Sequence, residues 1–324
     1  MSDVNKMLPW SNLKMSIAVT SGSSRLYANG RQQVKLTVKL EAEDSLLNPA
    51  ALSESELSSL RLIEYHGGKE IAFDNSTHPS ANPVTPNLMW DYSHHQNLAY
   101  RFYPAHSGAG TRAMDNGDSK AAFSSGTVLY KDFYVRTVAD TTLRIAAKIT
   151  RDDGSVFISS ASKEGSVTLI PVEVPRYGPE DYNFNPITIS SNNVAYDYIP
   201  LSLDSVHGAV EFRSVSFTDS SAVKHIVTRS GAGTLVLTGF TFPGGTQIHY
   251  SNFNSVGPRH IDPSYALPGR PVIVVVRAFN TPPAGLPSLR RSTALRAIDM
   301  YGNPHTVNIL FSETETDSRV MMLY

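Results

Sequence analysis

Histidine is the first place to look for chemistry in this 324-residue chain, because it has no cysteine at all. His66, His78, His94, His95 and His106 form its densest group, with Asp91 close by. A metal centre needs ligands converging from fixed positions, and His94 and His95, as neighbours on a strand, would point to opposite faces. The group reads as solvated loop histidines, and no metal site is assigned. Asp115-Asn116-Gly117-Asp118-Ser119 offers oxygen ligands, but it lacks the spacing and the terminal Glu of a calcium loop, and an Asx turn accounts for it equally well. Gly231-Ala232-Gly233-Thr234 lies between strands with no helix to follow, so it lacks the helix N-terminus that lets glycine loops bind phosphate. No Gly-x-Ser-x-Gly elbow is present, and the missing cysteines remove thiolate nucleophiles, disulfides and thiolate zinc sites together. The acidic pairs Asp152-Asp153 and Glu180-Asp181 sit in turns. No catalytic residue and no cofactor is therefore assigned.

Aromatic residues give a softer signal. Trp90, Tyr92, Tyr100 and Tyr103 flank the polar segment that carries His94 and His95, and Tyr250, Phe253 and Tyr265 gather in the second half. Rings with polar tips suit sugar or protein recognition, although at least half of them should serve as core in a β fold. These nine residues are the candidate binding positions.

Charged residues make up 18% of the chain, below the roughly 25% of an average globular protein, and the net charge is −1. No basic stripe is present, so nucleic acid is excluded as an expected partner. The longest apolar run is Val272 to Val276, far short of a membrane helix. The first residues lack the basic and apolar regions of a secretory signal, so the expectation is a cytoplasmic protein or one exported by a non-classical route or in a particle.

The elements that must position these residues are strands. Val34, Leu36, Val38, Leu40 and Ala42 alternate with Lys35, Thr37, Lys39, Glu41 and Glu43, the period of a strand with one dry and one wet face. Asn29-Gly30 before it reads as a turn, and Ser53 with Glu56 has capping-box spacing for a short helix. Asp152-Asp153-Gly154 marks a hairpin. Turn signals recur every 8–12 residues, which predicts an all-β chain of two antiparallel sandwiches. Residues 1–12 read as an N-terminal arm pinned by Trp10, 13–170 as the first sandwich with a helical insertion, and 187–324 as the second. Between them, Pro171, Pro175, Pro179 and Pro186 make residues 171–186 a semi-rigid connector. The two halves share a class and no evident sequence motif.

At Ile17-Ala18-Val19, Ala28-Asn29-Gly30, Val34 to Ala42 and Asp44 the chain resembles the opening of a bacterial Ig-like domain of the invasin and intimin type. The resemblance covers residues 17–44 and departs where the family has a short acidic-Gly-Asn turn and this chain inserts the Leu52–Leu60 segment. It implies a sandwich used as a spacer or adhesive module, and it carries over no catalytic residue. The leading expectation is a non-enzymatic surface-binding protein with a protein or glycan partner, for adhesion, receptor binding or particle assembly. Homo-oligomerisation stays open. Two alternatives also stand: a toxin or effector component, with residues 224–241 as the segment able to insert into membranes, and a carbohydrate-binding or carbohydrate-active protein.

Overall fold

A computed structural model describes residues 10–76, 89–104, 128–161, 164–191, 194–219, 221–227, 233–250, 259–281, 292–311 and 321–323. The chain divides into two compact units, Met1–Val174 and Pro175–Tyr324, and both are all-β.

The first unit contains β1 (Asn12–Val19), β2 (Arg25–Tyr27), β3 (Val34–Glu43), α1 (Glu54–Ser58), β4 (Arg61–Glu64), β5 (Ala72–Phe73), β6 (Trp90–Ser93), β7 (Val128–Thr137), β8 (Leu143–Thr150), β9 (Val156–Ile158) and β10 (Ser166–Val172). One sheet runs β1-β3-β7-β6-β5 and the other β2-β10-β8-β4, with β9 also on β8. The opening strand is thus split. β1 pairs antiparallel with β3, and β2 crosses to pair parallel with β10. Within these sheets, β1-β3-β7-β6 facing β10-β8-β4 is the four-over-three arrangement of a constant-type Ig sandwich, with β5, β2 and β9 added to it.

Strand β3 behaves as its alternation predicts. Val34, Leu36, Val38, Leu40 and Ala42 are buried, and the residues between them are half-buried. They join Met15, Ile17, Phe133 and Val135 from their own sheet against Leu62, Ile145, Ala147, Ile149 and Leu169 from the other. Asn29 makes the turn before β3, its Oδ1 accepting from the N–H groups of Arg31 and Gln32, while Gly30 takes φ 70°.

The capping box forms. Glu56 N–H donates to Ser53 Oγ, and Ser53 N–H donates to Glu56 Oε2. Glu56 does more than cap, since Trp10 Nε1 donates to Oε2 at 2.8 Å and Asp152 N–H donates to Oε1 at 3.2 Å. One buried carboxylate therefore ties the entering chain, the helix and the β8–β9 hairpin together. Trp10 is 2% exposed, packed on Phe157 and beneath Arg151.

The second unit contains β11 (Tyr182–Asn183), β12 (Ile187–Ser191), β13 (Val194–Pro200), β14 (Ser202–Ser205), β15 (Gly208–Ala209), β16 (Phe212–Phe217), β17 (Val223–Val227), β18 (Gly233–Thr241), β19 (Ile248–His249), β20 (Val272–Thr281), β21 (Ser292–Asp299), β22 (Pro304–Phe311) and β23 (Met321–Leu323). A sheet β12-β13-β20-β18-β17, with β19 on β18, faces a sheet β16-β21-β22-β23. Ile199, Val236, Ile273 and Val275 meet Phe212, Leu295, Val307 and Ile309 between the sheets. The outer face of the first sheet is apolar too: Leu235, Leu237, Val272, Val274 and Val276 are covered by Ile248, Ile261, Tyr250 and Tyr265. Burial on both faces explains the unbroken run Val272–Val276. The proline-rich stretch after Pro175 rests on this unit, with Tyr177, Tyr182 and Phe184 packed against its core.

The structure corrects one reading of the sequence. Asp44-Ser45-Leu46-Leu47-Asn48-Pro49 and Asp299-Met300-Tyr301-Gly302-Asn303-Pro304 fold as the same turn. In each, Asp Oδ1 accepts from the N–H groups two and four residues on, Oδ2 accepts from the Asn side chain, and Asp N–H donates to the Asn carbonyl. The halves do share a motif. It escapes a sequence comparison because the left-handed position is Leu47 (φ 64°) in one copy and Gly302 (φ 85°) in the other. A left-handed leucine costs about 1–2 kcal/mol, and Leu47 is 73% exposed, so its side chain returns little. Glycine relieves that strain but carries extra unfolded-chain entropy of about 0.4–1 kcal/mol. Leu47→Gly should therefore raise unfolding stability by about 0.5–1 kcal/mol, read as a higher urea midpoint at constant slope. A lower midpoint would contradict this account of the turn.

Candidate functional site

The loop that follows β6 carries most of the positions singled out in the first half, and two buried glutamines build it. Gln32 and Gln33 leave the Asn29-Gly30 turn with 0% and 4% exposure. Gln33 Nε2 donates to the His95 carbonyl at 3.3 Å, and Asn97 N–H donates to Gln33 Oε1 at 2.7 Å. Gln32 Nε2 donates to the Arg101 carbonyl at 3.1 Å, while its Oε1 accepts from Tyr27 N–H at 2.7 Å. Ser93 Oγ donates to the His95 carbonyl at 2.7 Å, and Asn97 Oδ1 accepts from Ala99 N–H at 3.0 Å. Each glutamine presents a donor and an acceptor on one planar group, so one side chain can clasp two backbone sites. The result is a loop whose backbone is fixed while its tip projects. Leu98 is 76% exposed, and His95, Ala99 and Arg101 are exposed beside it.

The predicted residues separate by burial. Trp90, Tyr92 and Tyr103 are buried, Trp90 and Tyr92 in the inter-sheet core and Tyr103 tilted against Tyr27 at 5.1 Å, so their rings hold the loop's base and do not face solvent. Tyr100 is half-buried and His95 exposed. His94 lies half-buried among Phe73, Tyr92 and Phe133, with Nδ1 3.3 Å from the Asp132 carbonyl. The two adjacent histidines therefore part company, one inward and one outward, and among the described residues no three His, Cys, Asp or Glu side chains gather to hold a metal. His78, His106, Asp115–Ser119 and Phe253 lie outside the described residues.

Burial sets the electrostatics here. It pushes the Tyr92 phenol up, and it lowers the His94 imidazole, with Lys131 adding to the same direction. Beneath the loop, Arg136 Nε and Nη2 donate to the two oxygens of Asp91 at 2.7 and 2.8 Å, with Asp74 3.2 Å from Nη2. Burial still outweighs the guanidinium and raises the Asp91 carboxyl. Arg136 and Asp91 are directly opposed in the β6–β7 register, so the bidentate pair locks that register as well as neutralising both charges.

In the second unit, Tyr250 and Tyr265 join Tyr196 and Tyr198 on the outer face of the sheet. Tyr196 and Tyr198 stack at 6.3 Å and 8°, and Tyr265 tilts against Tyr198 at 5.6 Å. Gly239 makes the notch that admits Tyr250. A Cβ there would stand 2.7 Å from Tyr250 Cε1 and from Ile248 Cγ2. Desolvation pushes the phenols of Tyr198 and Tyr250 up. This cluster is first a cover for the sheet, half-buried at its rim.

Two further features have no signal in the sequence. A cavity of about 550 Å³ runs beside β1, with Leu13, Met15 and Phe157 as its apolar surface. Its rim charges Lys39 and Glu41 are paired with each other. The other is a buried chain of hydrogen bonds between residues 123 positions apart, in which His305 Nδ1 lies 2.9 Å from Tyr182 Oη and Nε2 lies 3.2 Å from Asp299 Oδ2. An ionised carboxylate only accepts, so Nε2 is the donor to Asp299, and in a neutral imidazole Nδ1 is then left to accept from Tyr182 Oη. Burial, with Tyr177 second, pushes the Tyr182 phenol up to about 12. Asp, His and a hydroxyl are the components of a general-base relay, but His305 is closed in by Tyr177 and Phe212 and is 4% exposed. The chain anchors Tyr182.

No family model and no curated protein matches the sequence. Similar solved structures include the Yersinia pseudotuberculosis adhesin InvE, at 14% identity over 97% of this chain and 68% of that chain, with a TM-score of 0.23. The sialic-acid-binding region of a Streptococcus sanguinis SK1 adhesin gives 14% identity, 92% and 78% coverage and a TM-score of 0.23. A marsupial T cell receptor gives 7% identity, 94% and 97% coverage and a TM-score of 0.19. Two of the three are bacterial adhesins. Scores this low carry no functional argument, and function has to be read from the site.

His94 supplies a pH signature. Its folded-state pKa lies below the ordinary 6.5, so its contribution to stability is present above that pH and is lost as pH falls from about 6.5 toward the lower folded value. Urea midpoints at pH 7.5 and 5.5 should therefore differ less in His94→Phe, which keeps the ring contacts, than in the native chain. An unchanged difference would remove His94 from the acid response.

Proposed function

We propose that this chain is a binding protein, not an enzyme, and that it engages a protein or glycan partner through the loop spanning residues 93–104. One observation carries the reading: two buried glutamines fix the loop backbone, while its tip exposes an apolar residue, Leu98, at 76%. Burying glutamine side chains requires every polar group to be answered, and exposing leucine at a loop tip earns no folding energy. A tip of this kind has apolar surface to give to a partner, and a loop already ordered before contact loses less entropy on binding. His95, Tyr100 and Arg101 surround Leu98 with polar and charged groups, the pattern of an apolar centre with a polar rim. Within this reading, Trp90, Tyr92 and Tyr103 act as the rigid base.

The insertion alternative has less support. Gly233–Thr241 is a buried strand hydrogen-bonded between β17 and β20, and its release would dismantle the largest sheet of the second unit.

The test is binding of the tagged chain to a glycan array and to an array of purified cell-surface proteins, followed by the mass of any eluted ligand. One array should give binding, and Leu98→Ser and His95→Ala should each weaken it at least tenfold, about 1.4 kcal/mol. Melting temperatures should stay unchanged, since both residues are exposed. Equal binding by the variants would dismiss this loop as the contact, and a ligand eluted with altered mass would make the protein an enzyme.

A further inference from the structure

A sheet edge is a row of unanswered backbone N–H and C=O groups, and proteins guard such edges with short strands, charge, proline or bulges. Most edges here are guarded. Strands β2, β5, β11, β15 and β23 have two or three residues each. The longer edge strands carry charge: Lys14 in β1, Arg61 and Glu64 in β4, Arg213 in β16 and Lys224 in β17. Strand β16 is also bulged between Phe212 and Ser214. Strand β12 is the exception among the described edges. It is Ile187-Thr188-Ile189-Ser190-Ser191, five residues with no charge, paired with β13 on one side only.

We infer that β12 is a docking edge for a second copy of this chain, the two β12 strands pairing antiparallel about a two-fold axis at Ile189. In that register Ile189 meets Ile189, Thr188 meets Ser190 and Ile187 meets Ser191. Self-pairing sets each side chain against its own kind or a near neighbour, so a charged edge opposes like charges and an uncharged one does not. The carboxylate nearest the edge, Asp197, is answered from inside, accepting from Arg277 Nη2 at 2.7 Å and from Thr188 Oγ1 at 2.7 Å. Ile187 and Ile189 lie opposite Tyr198 and Tyr196, on the apolar outer face, and Ile189 is 39% exposed. Joining two copies adds this apolar strip to the backbone ladder. Pairing consumes the edge in both copies, so the assembly closes at two.

Sedimentation over protein concentrations from about 1 to about 300 µM is the test, since a five-residue edge makes a weak interface. The mass should rise from 35.4 kDa toward twice that value. Ile189→Lys should weaken the dimer at least tenfold with an unchanged melting temperature, and so should Ile189→Glu. An equimolar mixture of the two variants should restore dimerisation, because opposite charges then meet across the axis. A native chain that stays monomeric throughout overturns the inference. So does a dimer insensitive to Ile189→Lys, a mixture that fails to rescue, or a monomer that pairs β12 only with an unrelated extended peptide.

Discussion

With no disulfide in the chain, the two sheets of the first unit are held face to face chiefly by apolar burial. Val38 and Leu36 on β3, and Ile145 and Ala147 on β8, belong to one continuous core. Removing a single large side chain from such a core costs about 2–5 kcal/mol, against a total stability of about 5–15 kcal/mol for an ordinary domain. Polar groups admitted to the interior are costly unless they are answered, and the structure shows how this is done for the carboxylates and amides. Glu56 takes three donors, Asp91 a bidentate guanidinium, and Gln32 and Gln33 two backbone partners each. The loop over residues 93–104 is a product of this constraint. Its backbone is ordered because the glutamines beneath it cannot be left unpaired.

The second unit meets the same constraint with a different solution. Its larger sheet is apolar on both faces, so a second layer is needed outside the sandwich, and the segment carrying Ile248, Tyr250, Ile261 and Tyr265 supplies it. That layer comes close enough at Tyr250 to require a residue without a side chain at position 239. Tyrosines selected for this covering role keep hydroxyls at the rim, which is why an aromatic cluster can look like a recognition site in the sequence and serve first as a roof.

Local order was legible in the sequence, and long-range order was not. The period-two alternation of β3, the Ser53–Glu56 capping box and the Asp152-Asp153-Gly154 turn are written in residues a few positions apart, and all three form. The aromatic positions around His94 mark the segment that the glutamines hold, but their types could not say which rings face inward, because burial is decided by strands distant in sequence. The glutamine clasps join residues more than sixty positions apart, and the Tyr182–His305 bond spans 123. Nothing in the composition of either partner announces the other. The Asp-to-Asn turn common to both halves was hidden for a different reason: a leucine and a glycine do the same backbone work in its two copies.

The anchoring of Tyr182 has a mechanical consequence. His305 engages both ring nitrogens and is stacked on Tyr177 at 5.4 Å and 12°, and Asp299 behind it also organises the β21–β22 turn. Tension arriving along the backbone at Tyr177 would therefore meet this histidine and the hairpin behind it, not a slack tether. Within the second unit, the proline-rich stretch is thus fastened at Tyr177 and Tyr182 to the β21–β22 hairpin.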